Sequence, residues 1–484
     1  MLFNSLSFVG FFIIVVGLYF ILPHRYRWGL LLFSSCYFYA AFIPWYLLIL
    51  GFLIGADFWL AQRIEQSVGS ARRGWLVVSI VSNVGALFIF KYFNFFSENM
   101  AALAGLWHGR VAAAVLRLAL PIGLSFHTFQ SLSYVIEVYR GRWSAEKHLG
   151  IYALYVMFFP QLVAGPIERP AHMLPQFRME HRFDMGRLRS GIERMIIGFF
   201  KKIVIADQLA VFVNVVYSAP TQYPGVSLAI ATVFFAWQIY CDFSGYCDIA
   251  IGAAQVLGFN LTENFQSPYL SASVAEFWRR WHISLSSWFR DYVYVPLGGS
   301  RATWLKTVRN LLITFLLSGL WHGANWTFIV WGGLNGLYLV AGRWWRHFWP
   351  RVEPLSRGRR LWGMVATFLL LSVTWIFFRA TSLSEAVYII PHLVSGWGNI
   401  IQKLFDPQFV TEYIWLGQTD TQFWVALSGI FGLLGFEILA SRGEATRKLF
   451  VRLPWARYVG YTTLVLLTLA LWQGKGADFI YFQF

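Results

Sequence analysis

The chain has 484 residues, of which 57% are hydrophobic, 19% aromatic and only 13% charged. A soluble domain carries about 25% charged residues, so this composition excludes an ordinary soluble enzyme. The net charge of +16 would suggest a nucleic-acid partner in a soluble protein. Here the Lys and Arg residues fall between apolar blocks, the arrangement of cytoplasmic loops in a membrane protein.

In chain order, the nearly uncharged blocks are 6–22, 29–56, 75–90, 117–136, 149–164, 226–241, 311–342, 361–378, 422–440 and 458–472. A crossing needs about 20 apolar residues, and on that rule the blocks supply about a dozen membrane helices. The expected fold class is therefore all-α and polytopic. It forms a single membrane domain over 1–484, with packed helices around a central funnel. No Lys or Arg precedes the first block, whereas Arg25 and Arg27 follow it, which predicts an external N-terminus. The same segment lacks the basic n-region and small-residue cleavage site of a signal peptide. The three cysteines, Cys36, Cys241 and Cys247, all lie in apolar surroundings and are expected to be buried packing residues.

Between the blocks, 166–194 and 343–360 have the composition of cytoplasmic connections. Residues 259–310 differ. They hold Trp278, Arg279, Arg280, Trp281, His282, Trp288, Arg290 and Asp291, too polar to span and too aromatic for a free loop. Trp and Arg suit the membrane interface, so interfacial or re-entrant helices are expected here. Within the spanning blocks, His127, Gln130, Ser131 and Tyr134 share one helix face. Cys241, Gly245, Asp248 and Gly252 form a stripe of small and polar residues, and such residues allow close helix packing in a membrane. Asp242 and Asp248 are about 120° apart on a helix, so they are no natural carboxylate pair, and the expected role of both is structural.

Of ten histidines, most sit beside charges; His282 and His322 do not. His322 stands in Ser318-Gly-Leu-Trp-His-Gly-Ala-Asn-Trp326, deep in an apolar block. An ionisable side chain at such a depth is a functional candidate, and a neutral imidazole can accept a proton. Taken alone, a core histidine bonded to a backbone carbonyl reads equally well. The flanking glycines would admit a close approach by substrate. No phosphate-binding loop, no G-x-S-x-G elbow and no H-E-x-x-H zinc helix occurs, and no Cys/His spacing forms a metal site.

Several segments together resemble one family. They are Pro121-Ile-Gly-Leu-Ser-Phe-His-Thr-Phe-Gln130, Phe159-Pro-Gln-Leu-Val-Ala-Gly-Pro166 and Asp242-Phe-Ser-Gly-Tyr246. Glu276-Phe-Trp-Arg-Arg-Trp-His-Ile-Ser-Leu285 follows, then Phe289-Arg-Asp-Tyr-Val-Tyr-Val-Pro-Leu-Gly-Gly299 and Gly319-Leu-Trp-His-Gly323. Their order over roughly 120–336 resembles the bacterial branch of the membrane-bound O-acyltransferases. Within it, the similarity leans toward subunits that acetylate alginate rather than peptidoglycan or teichoic acid D-alanylation proteins. The resemblance implies that His322 is the catalytic histidine and His282 the second motif histidine, near the acyl donor. Arg279, Arg280 and Arg290 would meet donor phosphates, where guanidinium binds in bidentate fashion, or anchor lipid headgroups. Trp281 and Asn325 complete the candidate substrate-binding set. Cys241 and Cys247 depart from the family pattern, which bears on pocket shape.

The aromatic tail 474–484, ending Phe479-Ile-Tyr-Phe-Gln-Phe484, is too short to span. It either caps a groove or resembles tails in which a tyrosine transiently carries the acyl group. Tyr481 would then need a base such as His322, since a phenol is a weak nucleophile near pH 7. The resemblance further implies acetyl-CoA as donor, no bound cofactor or metal, and a location in the bacterial inner membrane among its lipids. It also implies a periplasmic SGNH-type partner that completes transfer to an exported polysaccharide. Two alternatives are transfer to peptidoglycan or teichoic acid and, in a different class, a transporter or polymer channel, although no internal symmetry supports transport.

Overall fold

The apolar blocks fold as helices because a segment in hydrocarbon must satisfy its own backbone hydrogen bonds. The computed structural model describes residues 1–106, 112–349, 356–416, 420–441, 454–472 and 479–480. Among these there are α-helices, short 3-10 and π turns, and no strand, so the all-α class is what is found. Five helices are long and apolar enough to cross a membrane: Tyr46–Gln66, Gly69–Leu106, Gly225–Val256, Arg357–Arg379 and Thr421–Ala440. Leu6–Ile21 and Trp455–Leu471 are shorter apolar helices.

Fewer described helices meet the crossing criterion than block length suggested, because several blocks are cut. Block 117–136 becomes helical only after Gly123, whose φ of +78° breaks the chain direction before Leu124–Tyr139. Block 149–164 yields the nine-residue helix Leu149–Met157. Block 311–342 is divided by a turn after His322. Where helices are spanning or apolar, their outer faces stay greasy. On Leu6–Ile21, Phe8, Phe12, Val15 and Tyr19 are buried while Leu6, Ile13, Ile14 and Ile21 are exposed. A helix apolar all round is the mark of a lipid-facing element.

The chain divides into two compact units, one of 1–194 with 250–262 and the other of 195–249 with 263–484. In the first, a buried carboxylate ties two spanning helices together: Asp57 accepts Ser79 Oγ at 2.6 Å and Asn83 Nδ2 at 2.9 and 2.8 Å. The stripe His127, Gln130, Ser131 and Tyr134 is buried on Leu124–Tyr139. Tyr134 Oη accepts the Glu146 amide at 2.7 Å, and Tyr152 Oη donates to Ser131 Oγ at 3.4 Å. These polar groups therefore tie the helix to Leu149–Met157 and to the connection before it.

The connection after Pro166 is pinned by Glu168, which is wholly buried. It accepts the Thr262 amide at 2.5 Å, Thr262 Oγ1 at 3.1 Å and His172 Nδ1 at 2.6 Å. The hydrogen bond to Glu168 raises the His172 pKa above its ordinary value. A raised folded value means the pair stabilises fully below the unfolded value near 6.5 and loses that contribution as pH rises through the folded value. His172 is partly exposed, so the effect is about 1 kcal/mol or less. The melting advantage of wild type over His172→Gln should shrink as pH climbs from about 6 to 8; an advantage constant with pH would contradict this.

The second unit contains the short helices expected for 259–310. They are Val274–Arg280 and Ile283–Phe289, with a π turn at Arg290–Tyr294. Seven-residue helices cannot cross a bilayer. The unit also holds the hairpin of Trp304–His322 and Trp326–Phe348.

Candidate active site

Val274–Arg280 starts where the local sequence says it should. Ser273 caps the helix by accepting the Glu276 amide at 3.2 Å, and Glu276 reaches back to accept the amide of Ala272, just before the cap, at 2.9 Å. Glu276 also pairs with Arg280 at 2.7 Å one turn on. The helix ends at Trp281, and His282 then takes φ +42° before Ile283–Phe289 begins. A left-handed conformation in a non-glycine residue costs about 1–3 kcal/mol and tends to persist where neighbours enforce it.

The enforcer is the segment 264–266. The Ile283 amide donates to Asn264 O at 3.0 Å, the Ser284 amide to Asn264 Oδ1 at 3.0 Å, and the Gln266 amide to Arg280 O at 3.0 Å. Asn264 Nδ2 in turn reaches Cys247 Sγ at 3.4 Å, so Cys247 is more than packing. Cys241 is buried as expected, but Cys36 is only partly buried. Asn264 was not singled out by its sequence; a lone Asn between two motifs carries no local signal. Asn264→Ala should leave the turn free to relax and lower turnover about tenfold, or ~1.4 kcal/mol. Asn264→Asp, which keeps the acceptor oxygen, should fall less. Initial rates for both variants decide this, and a wild-type rate for Asn264→Ala would rule it out.

His282 is fully buried with its ring edge-on to Phe243, centroids 4.6 Å apart. Burial pushes its imidazole down to about 3, so at neutral pH it is uncharged. The Trp321 ring centroid lies 6.3 Å from that of His282.

His322 closes Trp304–His322 and is buried in an aromatic box of Trp321 at 4.9 Å, Trp331 at 5.0 Å and Phe378 at 5.2 Å. The two histidines thus lie against the same indole, that of Trp321. Trp281 is buried too, stacked on Phe277 at 5.3 Å and against Trp375 at 5.1 Å, which itself stacks on Trp331 at 5.9 Å. Its place is therefore inside the aromatic core that backs the box.

The glycines around His322 do something other than admit a substrate. A Cβ at Gly319 would lie 2.2 Å from Phe328 O, and one at Gly323 would lie 2.1 Å from the Phe328 ring. Gly332 answers from the facing helix, where a Cβ would meet Phe315 O at 2.2 Å. The space beside these glycines is filled by the partner helix of the hairpin. Small residues serve close backbone approach, and here that approach brings Trp331 against His322.

The remaining candidates have other engagements. Asn325 caps Trp326–Phe348, its Oδ1 accepting the Thr327 amide at 3.0 Å and its Nδ2 donating to Thr381 O at 3.1 Å. Arg290 is exposed and paired with Asp291 at 2.8 Å, which raises its pKa further. Arg279 is exposed and Arg280 half-buried. Tyr481 lies outside the described residues. No cluster of three metal-ligating side chains occurs among the described residues.

The two aspartates on Gly225–Val256 have separate partners, as their angular offset requires. Lys201 Nζ lies 2.8 Å from Asp248, and Lys202 Nζ lies 2.5 Å from Asp242 and 2.9 Å from Asp207. A π segment at Phe200–Ala206 turns both consecutive lysines inward. Nearby, the helices touch at Gly198 and Gly245, where a Cβ on either would come within 2.6 or 2.8 Å of the other's carbonyl oxygen. Neither lysine was recognised in the sequence. The signal was present: two charges inside the apolar run 195–206 must be paired if buried.

Comparison with known proteins gives the family of the chain. The membrane-bound O-acyltransferase (MBOAT) family matches residues 144–382, which include both histidines. A probable alginate O-acetylase AlgI of Azotobacter vinelandii is 41% identical over 391 residues, covering 80% of this chain and 76% of that protein. A peptidoglycan O-acetyltransferase of Helicobacter pylori is 35% identical over 391 residues, covering 75% of this chain and 73% of that protein. A teichoic acid D-alanyltransferase of Bacillus subtilis is 26% identical over 260 residues, covering 51% of this chain and 65% of that protein. With its apolar helices and this degree of likeness, the chain belongs to the membrane-bound O-acyltransferase family and is a multi-pass membrane O-acyltransferase.

Proposed function

We propose that this protein takes acetyl from acetyl-CoA at the cytoplasmic face of the bacterial inner membrane and delivers it outward for O-acetylation of an exported polysaccharide, alginate or one like it. The observation that carries the reading is the pair of buried imidazoles on one indole, His322 boxed by aromatic rings and His282 held in a strained turn. The likeness to alginate O-acetylases supports the acceptor class.

In this reading His322 is the general base and His282, uncharged, orients the acyl donor. Arg279, with Arg280 and Arg290 once their carboxylates yield, meets the phosphates of the donor; Trp281 and Asn325 shape the approach from behind. The Trp331 indole N–H is buried without an acceptor among the described residues. It is available to the acyl carbonyl oxygen as negative charge develops there.

Tyr481 is the acyl carrier. His322 removes the phenol proton, the phenolate oxygen bonds to the thioester carbonyl carbon, the C–S bond breaks, and the proton leaves on the CoA thiol. A second transfer moves acetyl to an SGNH-type periplasmic partner, which passes it to a polymer hydroxyl.

A second acceptor, peptidoglycan, is favoured by the 35% identity to the Helicobacter pylori enzyme over a comparable length. Purified protein incubated with radiolabelled acetyl-CoA, followed by peptide mapping, tests the chemistry. Label on Tyr481 that is lost in Tyr481→Phe and His322→Ala is the expected result. Thioester turnover with no protein label would replace the relay by direct transfer. No consumption of thioester would overturn the donor. O-acetyl content of exported polysaccharide and of peptidoglycan in a deletion strain separates the two acceptors.

A further inference from the structure

We propose that Asp242, held by Lys202, is a positioning residue that anchors the aromatic tail at the site through the backbone of Ile480. The Ile480 amide donates to Asp242 Oδ2 at 2.7 Å, across 238 positions of sequence. The other carboxylate oxygen of Asp242 meets Lys202 Nζ at 2.5 Å. Phe479 packs on Tyr246 at 4.9 Å and on Phe243 at 5.7 Å, and Phe243 is the ring that meets His282 edge-on.

The chain before Tyr481 is therefore fastened one aromatic ring away from His282. Phe479 and Ile480 are both buried, at 2% exposure each, so the anchor is an interior one.

The arrangement has more parts than an ion pair needs. Lys202 already has Asp207 at 2.9 Å, and Asp242 already has Lys202. The second oxygen of a buried carboxylate is given to a distant backbone amide instead of to its own helix. A charge-assisted bond of this kind is about twice as strong as a neutral one. Because it reads the backbone, it sets where the chain lies rather than which side chain it carries. The adjacent ring contacts add register: Asp242, Phe243 and Tyr246 fall within one turn of Gly225–Val256. A slip of one residue would remove Phe479 from its seat on Tyr246. The π segment that turns Lys202 inward is a type of helix irregularity often found at functional sites.

The inference rests on the reading of the tail as part of the site, but it does not depend on what Tyr481 carries. The labelling arm of its test uses no acyl donor, and the kinetic arm reads turnover of acetyl-CoA. A cysteine placed by Phe484→Cys reports access to the tail through its rate of reaction with a soluble maleimide in the purified full chain. The parent with only Cys36, Cys241 and Cys247 supplies the background. Adding Ile480→Pro deletes the donating N–H and leaves the buried ion pair intact; adding Asp242→Ala deletes the acceptor. Both should raise the labelling rate at least tenfold.

In enzyme without the added cysteine, Ile480→Pro should lower kcat tenfold or more with KM for acetyl-CoA within twofold, since the donor site is untouched. Ile480→Pro labelling at the parent rate would overturn the anchor even if Asp242→Ala fails to fold. Fast labelling with unchanged kcat would keep the anchor but remove its positioning role, and so overturn the proposal as stated. Failure of Tyr481 to take up acetyl would touch only the relay.

Discussion

Replacing His322 with alanine should lower acyl-transfer turnover by about 100- to 10,000-fold, the range that a positioned general base contributes. The imidazole is boxed by Trp321, Trp331 and Phe378 at centroid distances of 4.9, 5.0 and 5.2 Å. Truncation therefore also empties a cavity, which in a buried aromatic site costs about 3–5 kcal/mol. Two companions separate chemistry from packing. His322→Gln retains much of the volume and a polar end but cannot exchange a proton near neutrality; it should be as inactive as the alanine variant while melting closer to wild type. Added imidazole should restore part of the rate to His322→Ala if its cavity admits the free base. Initial rates with acetyl-CoA and a melting curve for each purified variant provide the readout. Wild-type turnover in His322→Ala would remove the general-base assignment altogether.

Gly319→Ala should be strongly damaging to the hairpin, as should Gly332→Ala on the facing helix. A Cβ at Gly319 would sit 2.2 Å from Phe328 O and 3.0 Å from Phe328 C, both backbone atoms that cannot rotate away. The two helices must separate to admit it. Overpacking of this kind costs about 1–3 kcal/mol, and more where the obstacle is rigid main chain. Separation also withdraws Trp331 from His322, so turnover should fall at least tenfold in whatever protein folds. Gly333→Ala is the matched control: its Cβ would meet only Leu316 Cδ2 at 3.6 Å, an ordinary contact. Melting temperature and turnover should be close to wild type for Gly333→Ala and well below it for Gly319→Ala. Equal behaviour of the two would show that the hairpin contact does not hold the box.

Much was legible before any coordinates. Few charges and long apolar blocks are local properties of the chain, and in lipid they leave helices as the outcome. His322 stood out because an ionisable group in apolar surroundings is costly unless used, whereas His282 was marked by the resemblance to the family's second motif histidine. The Trp- and Arg-rich stretch read as short interfacial helices, being too polar to cross and too aromatic for open water.

Other features depended on which faces meet. Gly319 and Gly323 looked like room for a substrate, yet Phe328 and Gly332 fill that room, because a missing Cβ says only that something may approach. Asp242 and Asp248 were placed on different faces of one helix by their spacing, but their lysine partners were set by a π segment some forty residues earlier, a change of helical pitch that residue types do not announce. Asn264 holds the His282 turn through hydrogen bonds that span 17 to 20 positions. What the sequence determined by itself was therefore the solvent and the helical class, since each follows from local composition; the two imidazoles it only nominated, one by its apolar surroundings and one by resemblance. What only the tertiary structure decided was how those imidazoles are held, since a box of rings and a strained turn exist only once distant helices have packed.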